Sequence, residues 1–317
     1  MKKILSLGSV TVDVLMHPVD SLPPAGVLQG VEGVRALPGG CAVNAALDLH
    51  KLGAEVTLSC LIGDDPFGRM LLDYFEEEGL PTNGVIKDKD VATTVSVVLI
   101  NSTGERSFLY YPGSAAKYTR EHISDELVKE ADIVFVAGEM IIPSFEGKIL
   151  ADFFRYAKSL GKMTVMDTAW DKDGVWLPKI EEALPMTDLF MPSREEAAAF
   201  SGQTDPEKMA DFFFDHGCKS VVIKLGKEGA LICKSRNERF YQPICECDNV
   251  VDTTGAGDAF CSGFLYGIAK DWSYERSAKL ASLVSACCIE ERGASAGIKS
   301  FSDTLRRIGI TDEKDFT

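Results

Sequence analysis

Several features that mark other classes of protein are missing from this sequence. No apolar stretch reaches about 18 residues, so no membrane-spanning helix is expected. No dense Lys/Arg block occurs and the formal net charge is -15, which argues against sequence-independent binding to nucleic acid. The nine cysteines include no CxxC pair, and their odd number without zinc-site spacing favours reduced thiols.

The first residues, MKKILSLGSVTVDVLM, also lack the pattern of a secretory signal. Two lysines precede an apolar run, but Gly8, Ser9, Thr11 and Asp13 interrupt that run and no A-x-A-like site follows. The segment is therefore interpreted as strands. Together with the reduced thiols, it predicts a cytoplasmic protein.

What is present is typical of a globular α/β protein. Of 317 residues, 45% are hydrophobic and 26% are charged, enough for a sizeable core. Apolar strand-like runs such as KKILSL, EVTLSCLIG and DIVFVAG alternate with helical patterns such as AVNAALDLHKLG. This alternation predicts a mostly parallel sheet covered by helices on both faces, with ligands at the carboxyl ends of the strands.

Two stretches break the alternation, at about residues 11–37 and 91–113. The second is β-rich on both sides of a turn at Asn101 to Gly104, as in a hairpin. Neither stretch is followed by a helix in the βαβ manner. We expect both to form a small separate sheet that acts as a lid on a single domain, residues 1–317.

The segment DTTGAGDAF, residues 252–260, leads from apolar residues into a predicted helix. The amides of residues 255–257 would lie at the positive end of that helix and could hold an anion. A Walker A loop is not matched, and Phe260 stands where a dinucleotide fingerprint needs its third glycine. A purely structural helix start, with a threonine cap and Asp258 in the first turn, remains open at this point.

DTTGAGDAF resembles the second signature of the ribokinase-like (PfkB) carbohydrate kinases over nine consecutive residues. The resemblance extends over nearly the whole chain and implies a three-layer α/β/α core with a β lid. It also implies that the backbone of Gly255, Ala256 and Gly257 stabilises the transferred phosphoryl group. Asp258 would then be the base that takes the proton from the sugar hydroxyl.

Residues 38–68, which begin PGGCAVNAALDLHKLG, are similar to the first signature of that family. Gly39 and Gly40 permit close approach of backbone to a ligand, and Asn44 offers both a donor and an acceptor to hydroxyls. The resemblance gives Asp13 a sugar-binding role. A plain loop-to-helix turn and a solvated lid aspartate are the alternatives. Glu139 and Asp167 follow predicted strands and could line the same cleft.

Two further segments depart from the family pattern. In MPSREEAAAF, Ser193 stands in place of an asparagine and Glu196 is the acid implied to act on magnesium through water, although Ser193 and Glu196 also form a capping box. In VVIKLGKEGALI, Lys224 replaces a threonine, while Gly226 and Gly229 match a segment near the nucleotide. A hairpin-like turn is the alternative there.

These resemblances imply an ATP- and Mg²⁺-dependent kinase that phosphorylates a hydroxyl, a primary alcohol, of a small sugar. Cys41 and Ala42 stand where relatives acting on phosphosugars carry a lysine, which favours an unphosphorylated substrate, although Arg35 and Arg106 could bind a carboxylate or phosphate. A nucleoside kinase and a non-catalytic sugar sensor are alternatives. We also expect a homodimer through the lid, and a monovalent cation such as K⁺ near Asp252 and the segment EERGASAGI.

Overall fold

Two β-sheets organise the chain. A computed structural model describes residues 1–247 and 249–316, and these residues form one sheet of nine strands and another of four. The strands are β1 (Ile4–Gly8), β2 (Thr11–His17), β3 (Gly33–Gly39), β4 (Val56–Gly63), β5 (Val85–Asp88), β6 (Val95–Ile100), β7 (Arg106–Tyr111), β8 (Ile133–Ala137), β9 (Met163–Asp167), β10 (Leu189–Phe190), β11 (Ser220–Lys224), β12 (Ala230–Ser235) and β13 (Glu238–Gln242).

The large sheet has the order β13-β12-β11-β10-β9-β8-β1-β4-β5. Every neighbouring pair from β5 to β11 is parallel, whereas β12 is antiparallel to both β11 and β13. The predicted mostly parallel sheet is therefore confirmed. The sequence analysis did not identify β13, whose residues ERFYQ do not alternate between polar and apolar side chains.

The helices cover both faces of this sheet. They are α1 (Cys41–Leu52), α2 (Pro66–Glu77), α3 (Asp125–Glu130), α4 (Gly147–Ser159), α5 (Arg194–Ser201), α6 (Pro206–Asp215), α7 (Ala256–Ala269), α8 (Tyr274–Cys288) and α9 (Phe301–Arg306). One core contains side chains of α1, α2, α7, α8 and α9, and the other contains side chains of α3 to α6. The three-layer α/β/α architecture is confirmed.

Alternation along the strands divides their side chains between the two cores. In β8, Ile133 and Phe135 join the first core, while Val134 and Val136 join the second. Successive side chains of a strand point to opposite faces, so a strand buried on both sides must be apolar throughout. This is the physical reason for the continuous apolar runs in the sequence.

The second sheet has the order β3-β2-β6-β7. Its strands come from the two stretches that break the alternation, which confirms the predicted small sheet. Asn101 and Gly104 form the expected turn, in which the Gly104 N–H donates to the Asn101 carbonyl. β3 continues past residue 37 to Gly39, where it leads directly into α1.

No helix among residues 1–247 and 249–316 combines the length and the apolar character needed to cross a membrane.

Candidate active site

The carboxyl ends of the parallel strands bring several polar side chains to one edge of the large sheet. Asp167 is the last residue of β9, and Lys224 is the last residue of β11. Ser193 and Glu196 begin α5, which follows the intervening strand β10. A cleft of about 370 Å³ opens at this edge, and its lining also includes Gly226, Gly229 and residues 255–258.

The glycine-rich loop before α7 forms one wall of the cleft. Gly255 is the N-cap of α7 and has a φ of 77°, a left-handed conformation that favours glycine. A Cβ at this position would lie 2.5 Å from the Ala294 carbonyl oxygen, so a side chain is also excluded by contact. The amides of residues 255–257 thus lie at the start of a 14-residue helix, where the helix dipole favours an anion.

Asp258 lies in the first turn of α7 and is held from the opposite wall by α1. The Asn44 side-chain amide donates to Asp258 Oδ2 over 2.7 Å. Burial raises the pKa of Asp258, although the hydrogen bond from Asn44 and the charge of Lys224 act in the opposite direction. A carboxyl with a raised pKa, next to backbone amides in a cleft, suits a proton acceptor.

Asp13 and the paired glycines lie beside Asp258, where the lid meets the core. Burial and then the Asp258 charge raise the pKa of Asp13 to about 6. A Cβ on Gly39 would overlap the Asp13 carboxylate, and one on Gly40, which has a φ of 98°, would lie 2.5 Å from the Ser9 carbonyl oxygen. The glycines therefore allow the end of β3 to pack closely against β2 at this point.

The side chain of Lys224, on β11, extends across the end of β10 to Asp167 on β9. Its Nζ lies 2.7 Å from Oδ1 and 2.9 Å from Oδ2 of Asp167, and 3.5 Å from Cys261 Sγ. Burial alone would lower the pKa of Lys224, but Asp167, then Cys261 and Glu196, outweigh it and raise that pKa well above its usual range. The cleft thus holds an ammonium group that stays charged at neutral pH.

The start of α5 is capped as its sequence predicts. The Ser193 hydroxyl accepts from the Glu196 N–H over 3.2 Å, and Glu196 Oε2 accepts from the Ser193 N–H over 2.7 Å. Burial raises the pKa of Glu196, while Lys224 lowers it. Both residues also line the cleft, so the capping box and a place in the site occur together.

The structure separates the predicted site residues into two groups. Gly226, Gly229, Lys224, Glu196 and residues 255–258 line the cleft, and Asp167 joins them. Asp13, Gly39, Gly40 and Asn44 cluster on the far side of Asp258 and do not line that cleft. Glu139 is fully buried outside the cleft, and neither of its carboxylate oxygens has a hydrogen-bond partner within the described residues.

The contacts that sequence reasoning missed include those of Cys261 and Arg106. Cys261 donates to Asp167 Oδ2 over 3.3 Å, and the available signal was its position three residues after Asp258, on the same side of α7. Arg106, in lid strand β7, pairs with Asp252 over 3.2 Å and also bonds Thr254. Arg35, by contrast, is exposed.

Asp252 also joins the loop before α7 to the segment EERGASAGI by a direct hydrogen bond. Asp252 Oδ2 accepts from the Gly293 N–H over 3.1 Å, and Oδ1 accepts from the Thr254 N–H over 3.0 Å. The hydrogen bonds from Thr254 and Gly293 overcome burial and hold the pKa of Asp252 below its usual value, with a smaller effect from Arg106. Asp252 therefore stays ionised and ties the loop in place.

Comparison with known proteins agrees with this architecture. The family model described as pfkB family carbohydrate kinase matches residues 1–300. The chain belongs to the pfkB family. It is therefore a carbohydrate kinase, a phosphotransferase whose acceptor is an alcohol.

Individual pfkB relatives are moderately similar. An uncharacterized sugar kinase from Archaeoglobus fulgidus is 31% identical over 80% of this chain and 98% of the relative. A 5-dehydro-2-deoxygluconokinase from Geobacillus kaustophilus is 31% identical over 84% of this chain and 85% of the relative. Among solved structures, Thermotoga maritima ribokinase has a TM-score of 0.85 and 24% identity, covering 98% of this chain and 100% of that one. Arabidopsis thaliana ribokinase, complexed with ribose and ATP, has a TM-score of 0.87 and 23% identity, covering 98% and 99%.

Proposed function

We propose that this pfkB kinase transfers the γ-phosphoryl group of ATP to a primary alcohol of a small, unphosphorylated sugar. The observation that carries the proposal is the position of Asp258. The Asn44 side-chain amide donates to Asp258 Oδ2 over 2.7 Å, on the side of Asp258 that faces Asp13. Asp258 also directly follows residues 255–257, whose backbone lines the cleft. A base between a hydroxyl-binding group and an anion-binding loop is the arrangement that phosphoryl transfer to an alcohol requires.

The proposed step is a single displacement. The sugar O–H gives its proton to the Asp258 carboxylate as the oxygen forms a bond to the γ-phosphorus. The bond between that phosphorus and the β–γ bridging oxygen breaks, and ADP leaves with the electron pair. The amides of residues 255–257 stabilise negative charge on the phosphoryl oxygens during transfer.

The cleft suits Mg²⁺ bound through phosphate and water rather than in a cage of protein ligands. Mg²⁺ prefers oxygen donors and commonly keeps several waters while binding one or two carboxylates. Glu196 supplies such a carboxylate, and no group of three or more His, Cys, Asp or Glu residues in the described part of the chain forms a metal site. When bound, the ion would neutralise charge on the ATP phosphates. A putative ribokinase II from E. coli, solved in complex with ATP and Mg²⁺, supports ATP and Mg²⁺ as the ligands.

A monovalent cation near Asp252 stays a prediction. In the structure, the guanidinium of Arg106 supplies a positive charge next to the Asp252 carboxylate.

The preference for an unphosphorylated sugar rests on the first residue of α1. Cys41 occupies that position and lines the cleft beside Asp258, so no ammonium group projects from it. Asp13, together with Asn44, presents oxygen and amide groups that suit neighbouring hydroxyls. Relatives named ribokinase and 2-dehydro-3-deoxygluconokinase support pentoses and keto-deoxy sugar acids as the first substrates to test.

The proposal is tested by measuring ADP release with Mg-ATP and a panel of free pentoses, hexuloses, keto-deoxy acids, nucleosides and phosphosugars. We expect sugar-dependent ADP release with one class of free sugar. Saturable sugar binding without ADP release across the panel would instead indicate a sensor. Faster turnover of a phosphosugar than of any free sugar would overturn the assigned substrate class.

The pH dependence of sugar binding should report Asp13. A carboxylate accepts hydrogen bonds from two hydroxyls only while it is ionised, and its pKa here is about 6. We therefore expect KM for the sugar to rise as the pH falls through this value, in steady-state assays between about pH 5 and 8. Asp13→Asn should raise KM and remove that pH dependence, whereas Asp20→Asn, an exposed lid substitution, should leave it unchanged. An unaltered KM profile in Asp13→Asn would contradict the role.

The lid supports a proposed homodimer. Among the described residues, its outer strands β3 and β7 each have one edge without a strand partner, and Val34, Phe108 and Tyr111 are exposed on these strands. Unpaired edges and exposed apolar side chains favour association with a second copy. Light scattering at micromolar concentration should give about twice the monomer mass of 34.5 kDa. A monomer mass under those conditions would rule the dimer out.

A further inference from the structure

Lys224 is the one cationic side chain that lines the cleft within the described residues. Four carboxylates line the same space, those of Asp167, Glu195, Glu196 and Asp258. An ATP triphosphate entering such an acidic cleft needs local positive charge, since carboxylates near its oxygens repel it. Lys224 is therefore the side chain in this cleft that can neutralise the negative charge of the ATP triphosphate.

The ammonium group lies against the first turn of α7. A Cβ built on Gly257 would be 3.5 Å from Lys224 Nζ and 3.8 Å from its Cε. The lysine thus faces the loop whose amides are assigned to the phosphoryl group. Gly257 leaves open the space between the ammonium and those amides.

The backbone of Lys224 is fixed to the segment that follows β10 as well as to β12. Its N–H donates to the Pro192 carbonyl over 2.9 Å, and it forms an isolated parallel bridge with Ser193. Asp167 is anchored on the other side of β10, where its carbonyl accepts from the Gly138 N–H. The lysine side chain therefore crosses the end of one strand to reach a carboxylate on the next.

We propose that Asp167 is a positioning residue for phosphoryl transfer, whose carboxylate holds the Lys224 ammonium beside residues 255–257 so that ammonium and amides bind the same phosphoryl group. This inference rests on the proposed kinase function and deepens it. The Asp167 oxygens occupy at most two of the three N–H groups of the lysine, and the Cys261 thiol is a weak acceptor. One N–H can thus turn to a phosphoryl oxygen.

The charge on Lys224 also depends on Asp167. The ionisable groups that face it are Asp167 on β9, Cys261 and Asp258 on α7, Glu196 on α5 and Cys41 on α1. Burial disfavours the ammonium, and Asp167 is the largest influence that restores it. Without that carboxylate the lysine pKa falls, and the ammonium is lost as the pH rises through the lowered pKa.

The test is a double-mutant cycle with a pH profile. Lys224→Met should lower kcat/KM for ATP about tenfold to hundredfold, the effect of losing one charge-assisted hydrogen bond. Asp167→Asn should lower it as well and add a loss of activity at alkaline pH that the wild type lacks. The double variant should resemble Lys224→Met alone, because Asp167 acts through Lys224.

Arginine provides the rescue, since its guanidinium stays charged at every working pH. Asp167→Asn/Lys224→Arg should therefore lose the alkaline limb of Asp167→Asn. Asp171→Asn is the matched control: it breaks another buried ion pair, with Lys179 at 2.9 Å, outside the cleft. That control should lower the unfolding temperature but leave the pH profile of kcat/KM unchanged.

Titration of each variant with ATP by calorimetry gives a second readout. The variants should rank in ATP affinity in the same order as in kcat/KM for ATP. Wild-type ADP release is measured first, so failure of the kinase assignment is seen before any variant is made. An Asp167→Asn enzyme with wild-type kcat/KM and no new alkaline limb overturns the inference. The inference is also overturned if kcat/KM for ATP in the Asp167→Asn/Lys224→Met double variant falls by the product of the two single effects. If Lys224→Met does not fold, the comparison of Asp167→Asn with Asp167→Asn/Lys224→Arg decides the question.

Discussion

Replacing Asp258 with asparagine is expected to lower kcat by about 10²- to 10⁴-fold, the usual contribution of a general base. Asparagine has nearly the same shape and can still accept the hydrogen bond from Asn44, but it cannot take the proton of the sugar hydroxyl. KM for ATP should change little, because the amides of residues 255–257 are unaffected. Steady-state ADP release at saturating substrates measures the effect.

The same substitution should not lower stability. Burial raises the pKa of Asp258 in the folded chain. A carboxyl with a raised folded pKa destabilises the folded state progressively as the pH rises from its unfolded pKa to its folded pKa, and the full penalty applies above the folded pKa. At neutral pH, Asp258→Asn should therefore keep or raise the unfolding temperature.

Asp188→Asn is the contrasting control. Asp188 accepts from Lys158 and Thr164 at the opposite end of the sheet, and its pKa is held low by these partners despite partial burial. This variant should unfold at a lower temperature with an unchanged kcat. A turnover of Asp258→Asn close to that of the wild type would show that Asp258 is not the general base.

A second large effect is expected from Gly255→Ala, with a fall in kcat of about 10²- to 10³-fold, comparable to the loss of an oxyanion-hole donor. The methyl group would lie 2.5 Å from the Ala294 carbonyl oxygen and 2.6 Å from its Cα, and backbone cannot move aside as a side chain can. The loop must shift, and its amides then lose their alignment with the phosphoryl group. Single-turnover assays of ADP formation isolate this step.

Gly53→Ala separates backbone strain from loop displacement. Gly53 also has a positive φ, 90°, but a Cβ there meets nothing within 4 Å. Both variants incur the left-handed penalty of about 1–2 kcal/mol, so both should unfold at lower temperature. Only Gly255→Ala should lose turnover, and equal turnover in the two variants would mean that the 255–257 backbone does not contact the phosphoryl group.

The sequence predicts the sheet and its helices well because the central strands are buried on both sides. Val134 and Phe135, for example, enter different cores, so both must be apolar and the run is easy to detect. Asp167 was also predicted to lie at the cleft because parallel strands end at one edge, whereas the place of Lys224 came only from the resemblance of its segment to the family pattern.

The partners of those residues could not be predicted in the same way. The Asp167–Lys224 pair joins residues 57 positions apart, across a strand of only two residues. Arg106 reaches Asp252 because of how the lid sits on the core, a geometry that no local pattern encodes. The strand β13 was missed because its residues ERFYQ form neither an apolar run nor a period-two alternation.

The proposed site is divided along the chain, and this has a consequence for how such kinases diversify. The proposed acceptor group comes from residues before 45, whereas the cleft proposed to hold the nucleotide is lined, apart from Cys41, by residues after 165. Substitutions in the first segment can therefore exchange one acceptor for another while the machinery that handles ATP is inherited unchanged. The hydrogen bond from Asn44 to Asp258 is one of the contacts that join the two segments, so substitutions that keep it leave the proposed base in place.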